Sequence, residues 1–274
     1  MRVVVVAVCG VFAGCALLQP VMAPGPAIVD VGPFSLPPRA TMRPLVVVLT
    51  KTDGYRHESI PAAVQAVERA ADQVGFDVVV TQSAAFCDPA ILADVDVVVF
   101  AHANGRLFTP DQQEALAAWV DDGGGLLLLH GAVGDWSSSS WLSDVIGARF
   151  IGHSLAPSIV RVPIRTRAPH PAGRSLPARF VVDDEVYAFE EAPSGRGTVI
   201  LASLEQGAVV GGFVGALDLT MPDVHPVIWA RQIGQGAVVV DTLGHTPSSW
   251  EAAWVGPFLA DALQFLGGPP LGER

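Results

Sequence analysis

Four of the seven histidines in this chain, His57, His102, His130 and His245, each stand a few residues past a short run of β-branched or leucine residues. An imidazole can take a proton, give one or ligate a metal near neutral pH, so histidines gathered at one place make a candidate reaction centre. His130 is the most informative of them. It closes the run Leu126-Leu127-Leu128-Leu129-His130-Gly131-Ala132, in which a buried strand meets two small residues that permit the sharp turn that presents a nucleophile. Tyr55, Arg56 and His57 follow the first apolar run and are candidates to hold substrate hydroxyls, while Gly244-His245-Thr246 follows a late one.

Three carboxylates and a phenol crowd into Asp183-Asp184-Glu185-Val186-Tyr187, which offers a general base at Glu185 and hydroxyl recognition at Tyr187, or else a solvated acidic loop. His153, on a polar loop with Glu185 as a carboxylate partner, is a candidate ligand for Zn²⁺ or another divalent ion, although no dense spacing such as H-E-x-x-H accompanies it. The segment Gly152-His153-Ser154-Leu155-Ala156 imitates a serine-hydrolase elbow. It lacks the strand before and the helix after that such an elbow needs, so Ser154 is not expected to be a nucleophile. Trp229, after His225-Pro226, could stack on a sugar ring or fill the core. Glycine-rich stretches at 123–125 and 207–212 have no Walker or dinucleotide spacing, so nucleotide cofactors gain no support.

Short β-branched runs alternate with helix-patterned segments from Leu45 onward, the rhythm of βαβ crossovers and a largely parallel sheet. Strands are predicted at 45–49, 77–80, 95–101 and 126–129, and later at 159–163, 180–182, 198–202, 227–231 and 237–241. Helices are predicted after Ser59, with Pro61 in the first turn, in a short turn after Asp88, after Thr109, and over about 251–266. In open α/β sheets ligands bind outside the carboxyl ends of the strands, and this is where the four histidines fall.

The chain has 274 residues, of which half are hydrophobic and 16% charged, enough to fold one generous domain with a sizeable core. With 27 acidic against 16 basic side chains, a nucleic-acid partner is not expected. Three cysteines, two of them in the apolar N-terminal run, allow neither a disulfide framework nor a cysteine zinc site. Residues 3–18 are uninterruptedly apolar behind Arg2, so residues 1–23 read as a signal peptide for export, with cleavage after Ala23 favoured over a lipid anchor at Cys15. Residues 24–43 read as a Pro-rich linker, 44–267 as the domain and 268–274 as a tail. The alternative is a cytoplasmic protein that starts at Met42.

With these segments lined up, the chain resembles the ThuA-like (trehalose utilisation) family of the class I glutamine amidotransferase-like superfamily. The resemblance covers about residues 44–267. It is carried by Thr50 through Pro61, Gly123 through Ala132, Phe150 through His153, Asp184 through Tyr187, His225 through Trp229, and Leu243 through Pro247. It implies a flavodoxin-like three-layer α/β sandwich with a mostly parallel sheet. It also implies carbohydrate catabolism, as a hydrolase or isomerase acting on a disaccharide or its 3-keto derivative, with a functional link to a sugar dehydrogenase. His130 and His245 would be the acid/base groups, and Glu185 and His57 would hold hydroxyls or a divalent ion such as zinc. The superfamily's amidotransferases carry a cysteine at the elbow where His130 stands here, so glutaminase chemistry is not expected. The rival reading is a non-catalytic carbohydrate-binding or regulatory module that kept the pocket and lost the nucleophile. A small-molecule carbohydrate is the expected partner, with a homo-oligomer left open.

Overall fold

Five parallel strands with a helix layer on each face carry the histidines. The computed structural model describes residues 34–38, 42–134, 139–155, 157–195, 197–205, 219, 221 and 223–269. The expected signal segment, most of the linker, the second glycine-rich stretch and the end of the tail lie outside the described residues.

The first four strands are β1 (Leu45–Leu49), β2 (Asp77–Thr81), β3 (Val97–Ala101) and β4 (Gly125–Leu129). Their helices are α1 (Ile60–Val74), the short α2 (Pro89–Leu92) and α3 (Pro110–Asp121). Thr109 starts α3 with a full capping box to Gln112, so both otherwise orphaned terminal N–H groups have partners. After β4 come α4 (Ser140–Ile146), β5 (Phe150–His153), β6 (Ile159–Thr166), β7 (Arg179–Glu185), β8 (Tyr187–Phe189) and β9 (Val199–Leu204). The chain then makes β10 (Pro226–Ile233), β11 (Gly236–Asp241) and α5 (Val255–Leu266).

The main sheet has the order β2-β1-β3-β4-β11-β10-β9-β6-β7. Strands β2, β1, β3, β4 and β11 are parallel, in the doubly wound order, with the late strand β11 in the fifth place. From β11 outward every pairing is antiparallel. Alternation along each strand divides the core: Val46, Val48, Val97, Val99, Leu127 and Leu129 face α1 and α5. Val47, Val98, Phe100, Leu126, Leu128 and Val240 face the other helix layer. A strand covered on both sides tolerates no polar residue along its length, so chemistry is confined to the strand ends.

The strands and helices expected from sequence all appear, most within two residues of the expected ends. Three elements were not expected: α4, β5 and β8. Strands β5 and β8 form a separate antiparallel ribbon. The last helix begins at Val255, four residues late, because Pro247–Glu251 forms a 3-10 turn first. Asp183, Asp184 and Glu185 are not a loop but the end of β7, and the chain leaves the main sheet for the ribbon at Val186.

Candidate functional site

The site is built from the ends of β1, β3, β4 and β11, with Glu185 at the end of β7 as the fifth support. His57 arrives on the loop after β1, His102 and His130 directly after β3 and β4, and His245 on the loop after β11. The four rings meet. His57 lies 4.8 Å, centroid to centroid, from both His102 and His130 and 5.2 Å from His245. His102 and His130 are the only described non-glycine residues with positive φ, at +58° and +44°. L-residues rarely adopt this left-handed conformation, and here it turns each imidazole off its strand into the shared space.

His130 is fully buried. Its Nδ1 donates to the Thr242 carbonyl 2.7 Å away, so in the neutral ring Nε2 carries a lone pair. That Nε2 stands 3.3 Å from His245 Nδ1, 3.3 Å from the Tyr187 hydroxyl and 3.5 Å from Glu185 Oε2. Glu185 Oε2 also lies 3.1 Å from His245 Nδ1, while Glu185 Oε1 takes a 2.8 Å contact from His153 Nδ1.

Asp184 makes this arrangement rigid. Its Oδ2 accepts from the Gly244 N–H at 2.8 Å, and its Oδ1 from the N–H groups of His245 at 2.9 Å and Glu185 at 2.8 Å. Gly244 is required at the bend: its φ is +119°, and a Cβ there would stand 2.3 Å from the Trp250 ring. Asn104 ties the other side, donating to the carbonyls of His102 at 2.8 Å and Tyr55 at 3.0 Å.

Charge is divided unevenly. Burial pushes the Glu185 carboxyl up, but hydrogen bonding with His130, His153 and His245 outweighs it and holds Glu185 well below the ordinary carboxylate range. The same hydrogen bonds to Glu185 raise His245 and His153. Burial, then the neighbouring imidazoles of His130 and His245, lowers His57 to about 3, and burial likewise drives His102 well below its usual value. Burial raises the Tyr187 phenol well above its usual value, so it stays a hydroxyl. The cluster therefore holds one carboxylate, two imidazoles that attract protons and two that refuse them.

Of the residues expected from sequence, His57, His130, His245, Glu185 and Tyr187 come together. Tyr187 is buried with its hydroxyl on His130, so it orients that ring rather than meeting a ligand. Tyr55 is 67% exposed and edge-on to His57 at 4.7 Å, at the mouth of the cluster. Arg56 is exposed and donates to the Thr50 carbonyl at 2.8 Å, which braces its own loop. His153 stands behind Glu185 and is not one of the four donors that converge, which are His57, His130, Glu185 and His245.

Trp229 does not join them. It is fully buried in β10, its indole N–H donates to the Ile146 carbonyl at 2.9 Å, and Phe189 packs edge-on against it. A ring with no exposed face cannot stack on a sugar, so the expectation of Trp229 as a binding residue is corrected to a core role.

Ser154 is also fully buried. It bonds the Ser158 carbonyl and accepts from the Val186 N–H at 3.0 Å, with neither the elbow nor the base of a nucleophile. Cys87 is a buried thiol that burial pushes far up. Sequence reasoning left Asp184, Asn104 and His225 without roles. His225 Nε2 donates to the Tyr187 carbonyl at 2.7 Å and so fixes the ribbon beside the site. A cavity of about 240 Å³, lined in part by Asp183, Ser248, Trp250 and Trp254, shares Asp184 and Gly244 with the loop that carries His245.

A model of the family described as ThuA, trehalose utilisation, matches residues 45–266. Among solved structures, a ThuA-like protein from Bacteroides uniformis is 16% identical with a TM-score of 0.66, over 85% of this chain and 95% of that one. A second, from Parabacteroides merdae, is 14% identical with a TM-score of 0.62, over 82% and 90%. A β-galactosidase from Bacillus circulans is 13% identical with a TM-score of 0.53, over 84% of this chain but 32% of that one. Such identities speak for the fold alone. No curated protein matches.

Proposed function

Because the chain belongs to the ThuA (trehalose utilisation) family and so has a role in carbohydrate utilisation, we propose that it is an enzyme acting on a disaccharide or its 3-keto derivative, as a hydrolase or isomerase. The observation that carries this reading is the meeting of His57, His130, His245 and Glu185 at the carboxyl ends of four strands. His245, with 24% of its side chain exposed, is the imidazole that a substrate meets; His130 is buried and reaches it through the 3.3 Å contact between the rings.

A ketone on a sugar ring acidifies the hydrogens of the neighbouring carbons. Removing one needs a positioned base and no covalent intermediate. In this reading His245 exchanges the proton, and Glu185 stabilises the imidazolium that results. Tyr55 and Arg56, on the exposed loop beside the mouth, are the groups within reach of substrate hydroxyls. Export through residues 1–23 and a dehydrogenase that supplies the keto sugar belong to the same proposal.

The test is incubation of the purified protein with trehalose, maltose and their 3-keto derivatives, with products followed by NMR. Turnover that His245→Ala abolishes is the expected result. Binding without turnover across the panel would favour the non-catalytic module. Sequencing the N-terminus of the protein recovered from its native cell tests export.

A further inference from the structure

We propose that His57, His130, His245 and Glu185 form a binding site for one divalent first-row transition metal ion, with Zn²⁺ the best match. The ligand geometry carries this site, whatever the substrate. One donor atom from each of the four residues lies within 4.8 Å of all the others. A tetrahedron with metal–ligand bonds of about 2.0–2.1 Å has edges of about 3.4 Å. Three edges of the cluster already have that length: 3.3 Å from His130 Nε2 to His245 Nδ1, 3.1 Å from His245 Nδ1 to Glu185 Oε2, and 3.5 Å from His130 Nε2 to Glu185 Oε2. His57 supplies the remaining corner, its donor atom within 4.8 Å of the other three.

The hydrogen bonds around the cluster point the same way. His130 engages the Thr242 carbonyl through Nδ1, which leaves Nε2 as the nitrogen that faces Glu185 Oε2 across the cluster. An imidazole whose second nitrogen donates to a backbone carbonyl is the usual arrangement of a metal-ligating histidine, and His153 on the outer oxygen of Glu185 fixes the carboxylate in the same way. His57 is buried, and its Nδ1 has no hydrogen-bond partner among the described residues. A buried imidazole nitrogen left unpaired beside a carboxylate is a group aimed at something other than protein.

Three imidazoles and one carboxylate select zinc and its neighbours over Mg²⁺ and Ca²⁺, which take oxygen ligands. A bound ion would change the duty of His130 and His245 from exchanging protons to holding a Lewis acid. The experiment therefore keeps binding apart from turnover.

Untagged full-length protein, stripped with chelator and dialysed, is titrated with Zn²⁺ by calorimetry and with Co²⁺ by visible spectroscopy. One equivalent of Zn²⁺ per chain, the d–d bands of four-coordinate Co²⁺, and a melting point about 5–10 °C higher at a hundredfold excess of zinc over Kd are expected. His57→Gln and Glu185→Gln, checked for folding by circular dichroism, should each weaken zinc binding at least tenfold. His170→Asn, on a 3-10 turn elsewhere, should leave it unchanged. Zinc affinity equal in parent and both variants overturns the site, and so does a parent Co²⁺ spectrum that keeps the six-coordinate aquo form, which needs no variant to fold. Zinc binding without turnover of the sugar panel overturns the enzymatic reading and leaves the metal site standing; turnover by a protein that binds no zinc does the reverse.

Discussion

Replacing Gly131 with alanine probes how tightly the cluster is packed. Gly131 follows His130, is buried, and does not have a positive φ, so alanine suits its backbone and only the added Cβ acts. That Cβ would stand 2.8 Å from His57 Cε1, 3.0 Å from His57 Nδ1 and 3.3 Å from His102 Cβ. Ordinary carbon contacts lie at about 3.5–4.0 Å, so His57 must retreat by about 0.7–1.2 Å. Its ring is hemmed in by the imidazoles of His102, His130 and His245, and the retreat moves it off the shared centre. Overpacking of this kind costs about 1–3 kcal/mol, which for a domain of this size lowers Tm by about 2–12 °C. Zinc affinity should fall at least tenfold, since a misplaced ligand costs no less than a lost outer partner. The control is Gly256→Ala, whose Cβ has no described atom within 4 Å and which should leave zinc affinity unchanged. Scanning calorimetry and zinc titration of the three proteins decide the matter. A Gly131→Ala protein that melts and binds zinc like the parent would refute the placement of His57 against this turn, and the four-residue site with it.

Asp184→Ala strips two buried N–H groups and one half-buried N–H group of their acceptor and should destabilise the protein by about 3–5 kcal/mol in urea unfolding; a loss under 1 kcal/mol would show that the His245 loop does not depend on it. Asp241 is fully buried and raised to about 8 by that burial, so the native state keeps its proton between about pH 4 and 8 while the unfolded chain loses it. The native state binds more protons in that window, so stability falls as pH rises through it, by up to about 1.4 kcal/mol per unit. Asp241→Asn keeps an acceptor for the Leu243 N–H and has no proton to lose, so its advantage over the parent should grow from pH 5 to pH 8; parallel stability curves would count against the buried neutral acid. Gly256→Ala, near the start of α5 with no described atom within 4 Å of the new Cβ, should raise stability by about 0.5–1 kcal/mol in the same unfolding assay, and a loss would mean that the helix start is drawn wrongly.

The histidine edge was legible because a parallel sheet makes strand ends easy to read. Runs such as Leu126–Leu129 cannot be polar, so the first polar residue after them marks the rim. The same logic, applied to Val227 through Ala230, would have put Trp229 in the core, since an unbroken apolar strand is covered on both faces. Asp184 was harder. Three adjacent carboxylates give no clue to which one turns inward until β7 is extended to Glu185. Alternation then places Asp184 on the face of buried Val182 and leaves Asp183 outside. Glu185 breaks the alternation because the chain leaves the sheet at Val186, a tertiary event that no local pattern announces. Ribbon β5–β8 escaped for a similar reason, since three- and four-residue strands carry too few periods to read.

The cluster is costly to the fold, and that cost is the strongest argument that it has a use. Two non-glycine residues, His102 and His130, sit in the left-handed region, at about 1–2 kcal/mol each. The Nδ1 atoms of His57 and His102 are buried without partners among the described residues, each worth about 1–3 kcal/mol of lost hydration. Glycine at these strand ends would remove both the strain and the unpaired nitrogens, and the sheet below them, already sealed by valine and leucine on both faces, would not change. Stability therefore does not explain imidazoles at these places. A cation supplies the interaction that the bare cluster lacks: it pairs His57, bridges His130 and Glu185 and fixes His245 where it meets solvent. The strain at His130 then serves to aim Nε2 before the ion arrives, which reduces the reorganisation that binding would otherwise require.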